Sequence, residues 1–138
     1  MRALAVVAAF VVAGCAGGEP SPESVVRAWS EAVNSGDDAS AARLFATGAR
    51  VVQGERVRRL DDYADARAWN AALPCSGRIV QLDASGETVR ATFVLGNRER
   101  YRCDGPGERA RTLFRIRDGK IVLWHQLDPA LAPDEESI

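Results

Sequence analysis

From Arg111 to Asp128 the chain reads Arg-Thr-Leu-Phe-Arg-Ile-Arg-Asp-Gly-Lys-Ile-Val-Leu-Trp-His-Gln-Leu-Asp, and no other stretch restricts the fold as tightly. Thr112, Phe114 and Ile116 alternate with Leu113, Arg115 and Arg117. After Asp118-Gly119, the residues Ile121, Leu123, His125 and Leu127 alternate with Val122, Trp124 and Gln126. A repeat of two residues is the signature of a β-strand. Asp-Gly suits the tight turn between two such strands, because both central positions need positive φ. The product is a hairpin with one apolar and one mixed face, which must find its cover in the chain upstream. Unbroken alternation puts His125, the one histidine, on the side of Ile121 and Leu123.

At the other end, Met1-Arg2 is followed by the uncharged apolar run Ala3 to Ala13 and then Gly14-Cys15. Eleven residues fall short of the roughly 20 a membrane-spanning helix needs, so the run reads as the core of a signal peptide. Val12-Ala13-Gly14-Cys15 resembles the bacterial lipobox. That resemblance implies cleavage before Cys15, diacylglycerol on its thiol and attachment to the extracytoplasmic face of a bacterial membrane. The alternative is an ordinary secretory leader with an incidental cysteine. Lipidation at Cys15 would leave Cys75 and Cys103 to form a disulfide in an oxidising compartment. If residues 78–83 pair with 88–93 around Ser85-Gly86, Cys75 lies level with residue 96. A kink at Gly96-Asn97 or a loop at 73–77 must then bring Cys103 back to it.

The chain divides into a signal peptide at 1–14, a lipidated N-terminus and tether at 15–22, one domain at 23–129 and an acidic, proline-bearing tail at 130–138. Ser21-Pro22-Glu23 starts a helix with Val25, Val26, Trp29, Ala32 and Val33 on one side, ending at Asn34-Ser35-Gly36. Asp37 or Asp38 caps a second helix, Ala39 to Ala46, with Ala41, Leu44 and Phe45 inward. Val51-Val52 and Glu55 to Arg58 read as short strands. Asp61 opens a third helix over about 62–73, with Tyr63, Ala66, Trp69 and Leu73 on one side, and Pro74 ends it. Strands follow at 78–83, at 87–95 with an extension toward Cys103, at 108–117 and at 119–127. Helices first and strands afterwards make an α+β domain.

Ala32-Val-Asn34-Ser-Gly36-Asp37, then Leu44-Phe45-Ala46 and Ala49-Arg50-Val51, are similar to the opening of the nuclear transport factor 2-like superfamily, above all its SnoaL-like branch. Phe114 through Trp124 and on to Asp128-Pro129 resembles the same superfamily's last hairpin. The resemblance implies three helices packed on a strongly curved antiparallel sheet, a cone with an open pocket, and dimers formed through the sheet. In members similar to ketosteroid isomerase the general base is an aspartate on the strand after the short helix, and here Gln53 takes that place. An amide cannot abstract a proton near neutral pH. The Asp-Arg-Asp set of the epoxide-hydrolase branch is not placed in this chain.

Trp29, Gln53, Tyr63, Trp69, Phe114 and His125 are the candidates for a pocket, with Trp124 as a further aromatic. His125 is the candidate acid or base if it faces the cone; otherwise it sits at the rim or on the outer face of the sheet. Asp37 and Asp38 read as helix caps. Arg98, Arg100 and Arg102 alternate onto one face, and Arg115 and Arg117 continue a basic strip that reads first as a solvated sheet face broken by Glu99 and Glu108, and otherwise as a surface for anionic lipid headgroups or a partner. The chain shows no metal, phosphate-loop or nucleophile motif, so neither metal nor cofactor is expected. A formal net charge of −1 gives no general attraction for nucleic acid. The reading is a membrane-anchored lipoprotein that binds a small apolar ligand or an envelope protein partner, with a homodimer as another assembly. Its alternative is an isomerase, cyclase or hydrolase of the SnoaL-like type using His125.

Overall fold

The computed structural model describes residues 18–128; the expected signal peptide, Cys15 and the acidic tail lie outside them. Ser21 accepts a hydrogen bond from the Ser24 N–H at 3.2 Å, Pro22 fills the first helical position, and α1 runs Pro22–Asn34 with its five expected apolar residues buried. Asp37 caps α2, Asp38–Arg43. Hydrogen bonds from the Ser40 hydroxyl and N–H hold the Asp37 carboxyl below the usual carboxylate range.

The second helix is shorter than its pattern predicts. Leu44 accepts a hydrogen bond from the Ile121 N–H at 2.8 Å, so Phe45 and Ala46 leave the helix and begin β1, Phe45–Gln53. Strand pairing overrides local helix preference there. After a turn at Gly54 comes β2, Arg56–Leu60. Helix α3, Tyr63–Ala71, is capped by Asp62 and not by Asp61, whose N–H donates to the Asp65 carboxylate at 3.1 Å. Four strands follow: β3 Cys75–Ser85, β4 Thr88–Asn97, β5 Arg109–Arg117 and β6 Lys120–Leu127.

All six strands form one sheet in the order β2-β1-β6-β5-β4-β3. It is mixed, not purely antiparallel: β1 and β6 run parallel, because α2 delivers Leu44 beside Ile121 at the start of β6. Three register shifts, in β1 between Phe45 and Arg50, in β3 between Ile79 and Gln81, and between β5 and β6 near Ile116, bend the sheet around the helices. Trp29 of α1 reaches the inner face edge-on, with ring centroids 5.4 Å from Phe114 and 6.1 Å from Phe93. At Gly77 a Cβ would lie 3.0 Å from the Phe93 ring, so any larger residue there would have to push that ring aside by a few tenths of an ångström.

The register shift in β3 places Cys75 opposite Asn97, and β4 ends at that residue without extending toward Cys103. A turn then reverses the chain: Arg98 and Tyr101 exchange N–H to carbonyl bonds of 3.0 and 3.3 Å, and the Asn97 side chain accepts from the Cys103 N–H at 2.9 Å. Cys103 thus returns to Cys75, with 4.6 Å between Cα atoms and a disulfide formed.

Arg98 does not belong to a solvated strip with Arg100 and Arg102, because it lies in this turn and points inward. Its guanidinium donates to the Asn70 and Leu73 carbonyls, both at 2.8 Å, and to Asp38 at 2.9 Å, with 6% of the side chain exposed. It therefore caps the end of α3, adding to the 3.3 Å bond that the Asn70 carbonyl accepts from the Leu73 N–H, and ties that end to α2. Arg98→Met should destabilise the domain by about 2–4 kcal/mol, since it removes the ion-pair partner of Asp38 and the bonds to the Asn70 and Leu73 carbonyls. Arg98→Lys should recover only part of that, because an ammonium lacks the planar fork. Denaturant unfolding of the three proteins measures both; equal stability of Arg98→Met and the parent would contradict the clamp.

Candidate functional site

The inner curve of the sheet and the end of α1 enclose a cavity of about 150 Å³. Its walls are mostly apolar: Trp29 and Val33 from α1, Leu73 and Pro74 from the segment after α3, Phe93 and Leu95 from β4, Ala110 from β5 and Trp124 from β6. Polar groups enter from two sides. Gln53, Gln126 and Thr112 are neighbours across β1, β6 and β5, while Ser30, Asn34 and Ser76 lie on the helix side. All sixteen lining residues are uncharged, the cysteine among them being Cys75 of the disulfide.

The mouth is held by specific bonds. Asn34 donates its amide to the Gly77 carbonyl at 2.8 Å and accepts from the Gly77 N–H at 2.9 Å, closing a ring between α1 and β3. The asparagine of the Asn-x-Gly-Asp segment is thus spent on backbone. Leu73 is fixed by Arg98 and Cys75 by its disulfide, so the stretch from Leu73 to Gly77 is anchored at both ends and has little freedom to move. Deeper in, the Trp29 indole N–H donates to Asn70 at 2.9 Å, and the Asn70 amide donates to the Ala66 carbonyl at 2.8 Å. A fully buried polar side chain thereby sets the angle of the ring that forms one wall.

Of the residues singled out in the sequence, Trp29 and Gln53 line this cavity, as does Trp124. Trp69 and Phe114 do not. They form the layer beneath it, Trp69 edge-on to Trp124 at 4.9 Å and to Phe45 at 5.7 Å, and Phe114 wholly buried under Trp29. Tyr63 is 44% exposed at the start of α3, with the Arg43 guanidinium 5.7 Å from its ring centre, and does not line this cavity. Its place in the helical stripe fails because it stands at the first helical position, ahead of the turn that packs.

His125 lies on the opposite face of the sheet. Arg115 pairs with Leu123 but Ile116 pairs with Ile121, so β6 carries one extra residue, Val122. One extra residue inverts the side-chain alternation beyond it. Trp124 and Gln126 consequently face the cavity, while His125 pairs with Leu113 and Val52 on the outer side. The Trp124 Nε1–H has no hydrogen-bond partner among the described residues; the ring stands edge-on to Trp69 and Trp29, whose electron-rich faces are a milder setting for an N–H than aliphatic carbon. Phe93, Thr112 and Gln126 were not among the residues chosen from sequence. The first two had a signal, since they share strand faces with Ala91 and Phe114; Gln126 had none, because its orientation depends on the bulge.

Helices on the inner curve of a six-stranded mixed sheet, enclosing a cavity open at one end, constitute the α+β nuclear transport factor 2-like fold. An NTF2-like protein of unknown function from Cytophaga hutchinsonii is similar with a TM-score of 0.66 at 13% identity, over 82% of this chain and 95% of that one. A hypothetical protein from Catenulispora acidiphila with a ketosteroid isomerase-like fold, in complex with trimethylamine, is similar with a TM-score of 0.60 at 18% identity, over 80% and 87% of the two chains. A de novo designed protein with a curved β-sheet gives 0.63 at 13% identity, over 83% and 91%. At these identities the likeness is one of fold. Residues 26–124 match the family of the SnoaL-like domain, and the chain belongs to that family. No curated protein matches it.

Proposed function

We propose that this SnoaL-like domain binds a small, uncharged, largely apolar molecule in the cavity between α1 and the sheet, and that it does so as a lipoprotein attached to the membrane through Cys15. The composition of the cavity wall carries the first part. Rings and aliphatic side chains supply the contact area, and the amides of Gln53 and Gln126 with the Thr112 hydroxyl can orient one polar group of a ligand. A volume of about 150 Å³ suits a molecule of roughly one substituted ring. Acid or base chemistry needs a titratable group within reach of the ligand, and the position at which related isomerases would carry an aspartate holds Gln53. Binding is therefore favoured over isomerase, cyclase or hydrolase activity. The membrane attachment rests on Val12-Ala13-Gly14-Cys15 after the apolar run.

Binding is tested by titrating phenol, benzyl alcohol and toluene into the protein and following the indole N–H resonances of Trp29 and Trp124 by NMR. Ala110→Leu, which pushes a larger side chain into the cavity beside Phe93, should weaken any binding by about tenfold or more while the fold persists. His125→Ala should leave it unchanged. Loss of binding in His125→Ala with none in Ala110→Leu would place the ligand elsewhere. Membrane attachment is tested separately by feeding cells a labelled fatty acid: the parent should carry label and Cys15→Ala should not. Label retained in Cys15→Ala would exclude acylation at that residue.

A further inference from the structure

The outer face of the sheet carries a charge pattern that the cavity does not require. Four of the five outward positions of β5 are arginine, Leu113 being the fifth. Cross-strand register adds Arg78 and Arg90 on one side, and Arg50 and Arg59 on the other. Among the outward strand positions of the described residues the one acid is Asp83, opposite Arg90. Asp61 lies 3.0 Å from Arg59 and Glu87 lies 3.4 Å from Arg117, at the margins of the face. The chain as a whole is formally −1, so this concentration of arginine is segregation and not general basicity. Between the arginines stand Val52, Val57, Leu113, Leu123 and Leu127, with Val57 64% exposed. Arginines whose stems lie along aliphatic side chains suit a boundary between headgroups and hydrocarbon.

The path of the chain gives a second, independent indication. The Pro20 ring lies against the tip of the β5–β6 hairpin, where a Cβ on Gly119 would come within 3.3 Å of it. Cys15 is five residues before Pro20, a span of at most about 18 Å. From Pro20, α1 runs its 13 residues, about 20 Å, to Asn34 at the cavity. The chain thus arrives at one pole of the domain and the cavity lies at the other. A chain held at a bilayer near Cys15 keeps the hairpin tip and the neighbouring row of Arg59, Arg50, Leu123 and Arg115 close to the headgroups.

We propose that this outer face is a docking surface for an anionic phospholipid bilayer, with the cavity opening toward water, so that the ligand is taken from the aqueous side. A second copy of this chain is the weaker occupant, because a two-fold pairing of the same face would set arginine against arginine. The choice of a bilayer rests on the membrane-anchored reading, and the test separates the two by removing the acyl site.

The experiment uses the full chain bearing Cys15→Ser, with Cys75–Cys103 oxidised, and measures sedimentation with vesicles of phosphatidylcholine alone or with about 30 mol% phosphatidylglycerol. The leader, with Arg2 and the amino terminus, is the same in every variant, so the change in the ratio of the two partition coefficients between variants reads the charged face. That ratio should exceed about tenfold at about 50 mM salt and approach one at about 500 mM. Arg50→Glu with Arg115→Glu should lower it by about tenfold or more, since each basic group near such a surface is worth roughly fivefold. Arg27→Glu with Arg67→Glu, on exposed helix surfaces, should leave it within about twofold. Circular dichroism checks that both double variants are folded. A ratio near one for the parent, or a ratio insensitive to the first pair, overturns the proposal. So does a dimer in sedimentation velocity that the first pair dissociates, or equal affinity for poly-glutamate at matched charge, which would assign the face to an acidic polypeptide.

Discussion

Side chains of a strand point alternately to its two faces, and the extra residue that β6 holds at Val122 therefore decides what the inner surface of this sheet presents. Before it, Ile121 faces the core opposite Ile116. After it, Trp124 faces Phe114 and Gln126 faces Thr112, while His125 is carried to the other side beside Leu113. Were the register unbroken from Ile121, Leu123 would stand opposite Phe114 where Trp124 does, His125 would stand opposite Thr112 where Gln126 does, and the ring that closes the floor of the cavity would lie on the outer face. The aromatic chain from Phe93 through Trp29 and Trp124 to Trp69 and Phe45 exists because of it. The chemistry open to the cavity is set by the same step: amides and a hydroxyl against rings, an environment for holding a neutral molecule.

The rest of the architecture keeps that surface covered and its mouth in place. Arg98 gathers the end of α3 and the start of α2, the disulfide joins the start of β3 to the loop after β4, and Asn34 pins α1 to Gly77. The three ties meet around Leu73 to Gly77, where a connecting segment would ordinarily be the most mobile part of a pocket wall. The disulfide closes a loop of 28 residues and contributes roughly 3–4 kcal/mol on the chain-entropy account.

Much of this was legible in the sequence, and the misses share a cause. Helix starts followed from Ser21 and Asp37, whose capping is local, and the Asp118-Gly119 turn followed from positive φ at both residues, 52° and 72°. The α+β class followed from the order of periodic segments. What could not be read were features decided by partners distant in sequence. Phe45 is a strand residue because Ile121 is beside it; Arg98 is a clamp because Asp38, Asn70 and Leu73 converge on it; and the faces of β6 depend on where β5 slips against it. Straight alternation from Ile121 was the natural reading of the last strand, yet a bulge leaves no mark in composition. The Cys75–Cys103 gap was foreseen, but its closure by a reversal after Asn97 needed the register of β3 on β4.

The orientation of β6 is the claim on which the site depends, and nuclear Overhauser contacts of the His125 imidazole measure it directly. The structure requires contacts from the imidazole protons to the methyl groups of Leu113 and Val52, and from the Trp124 ring to Trp69 and Trp29. Contacts from His125 to Trp29 or Phe93 would put the histidine inside the cavity and contradict the account.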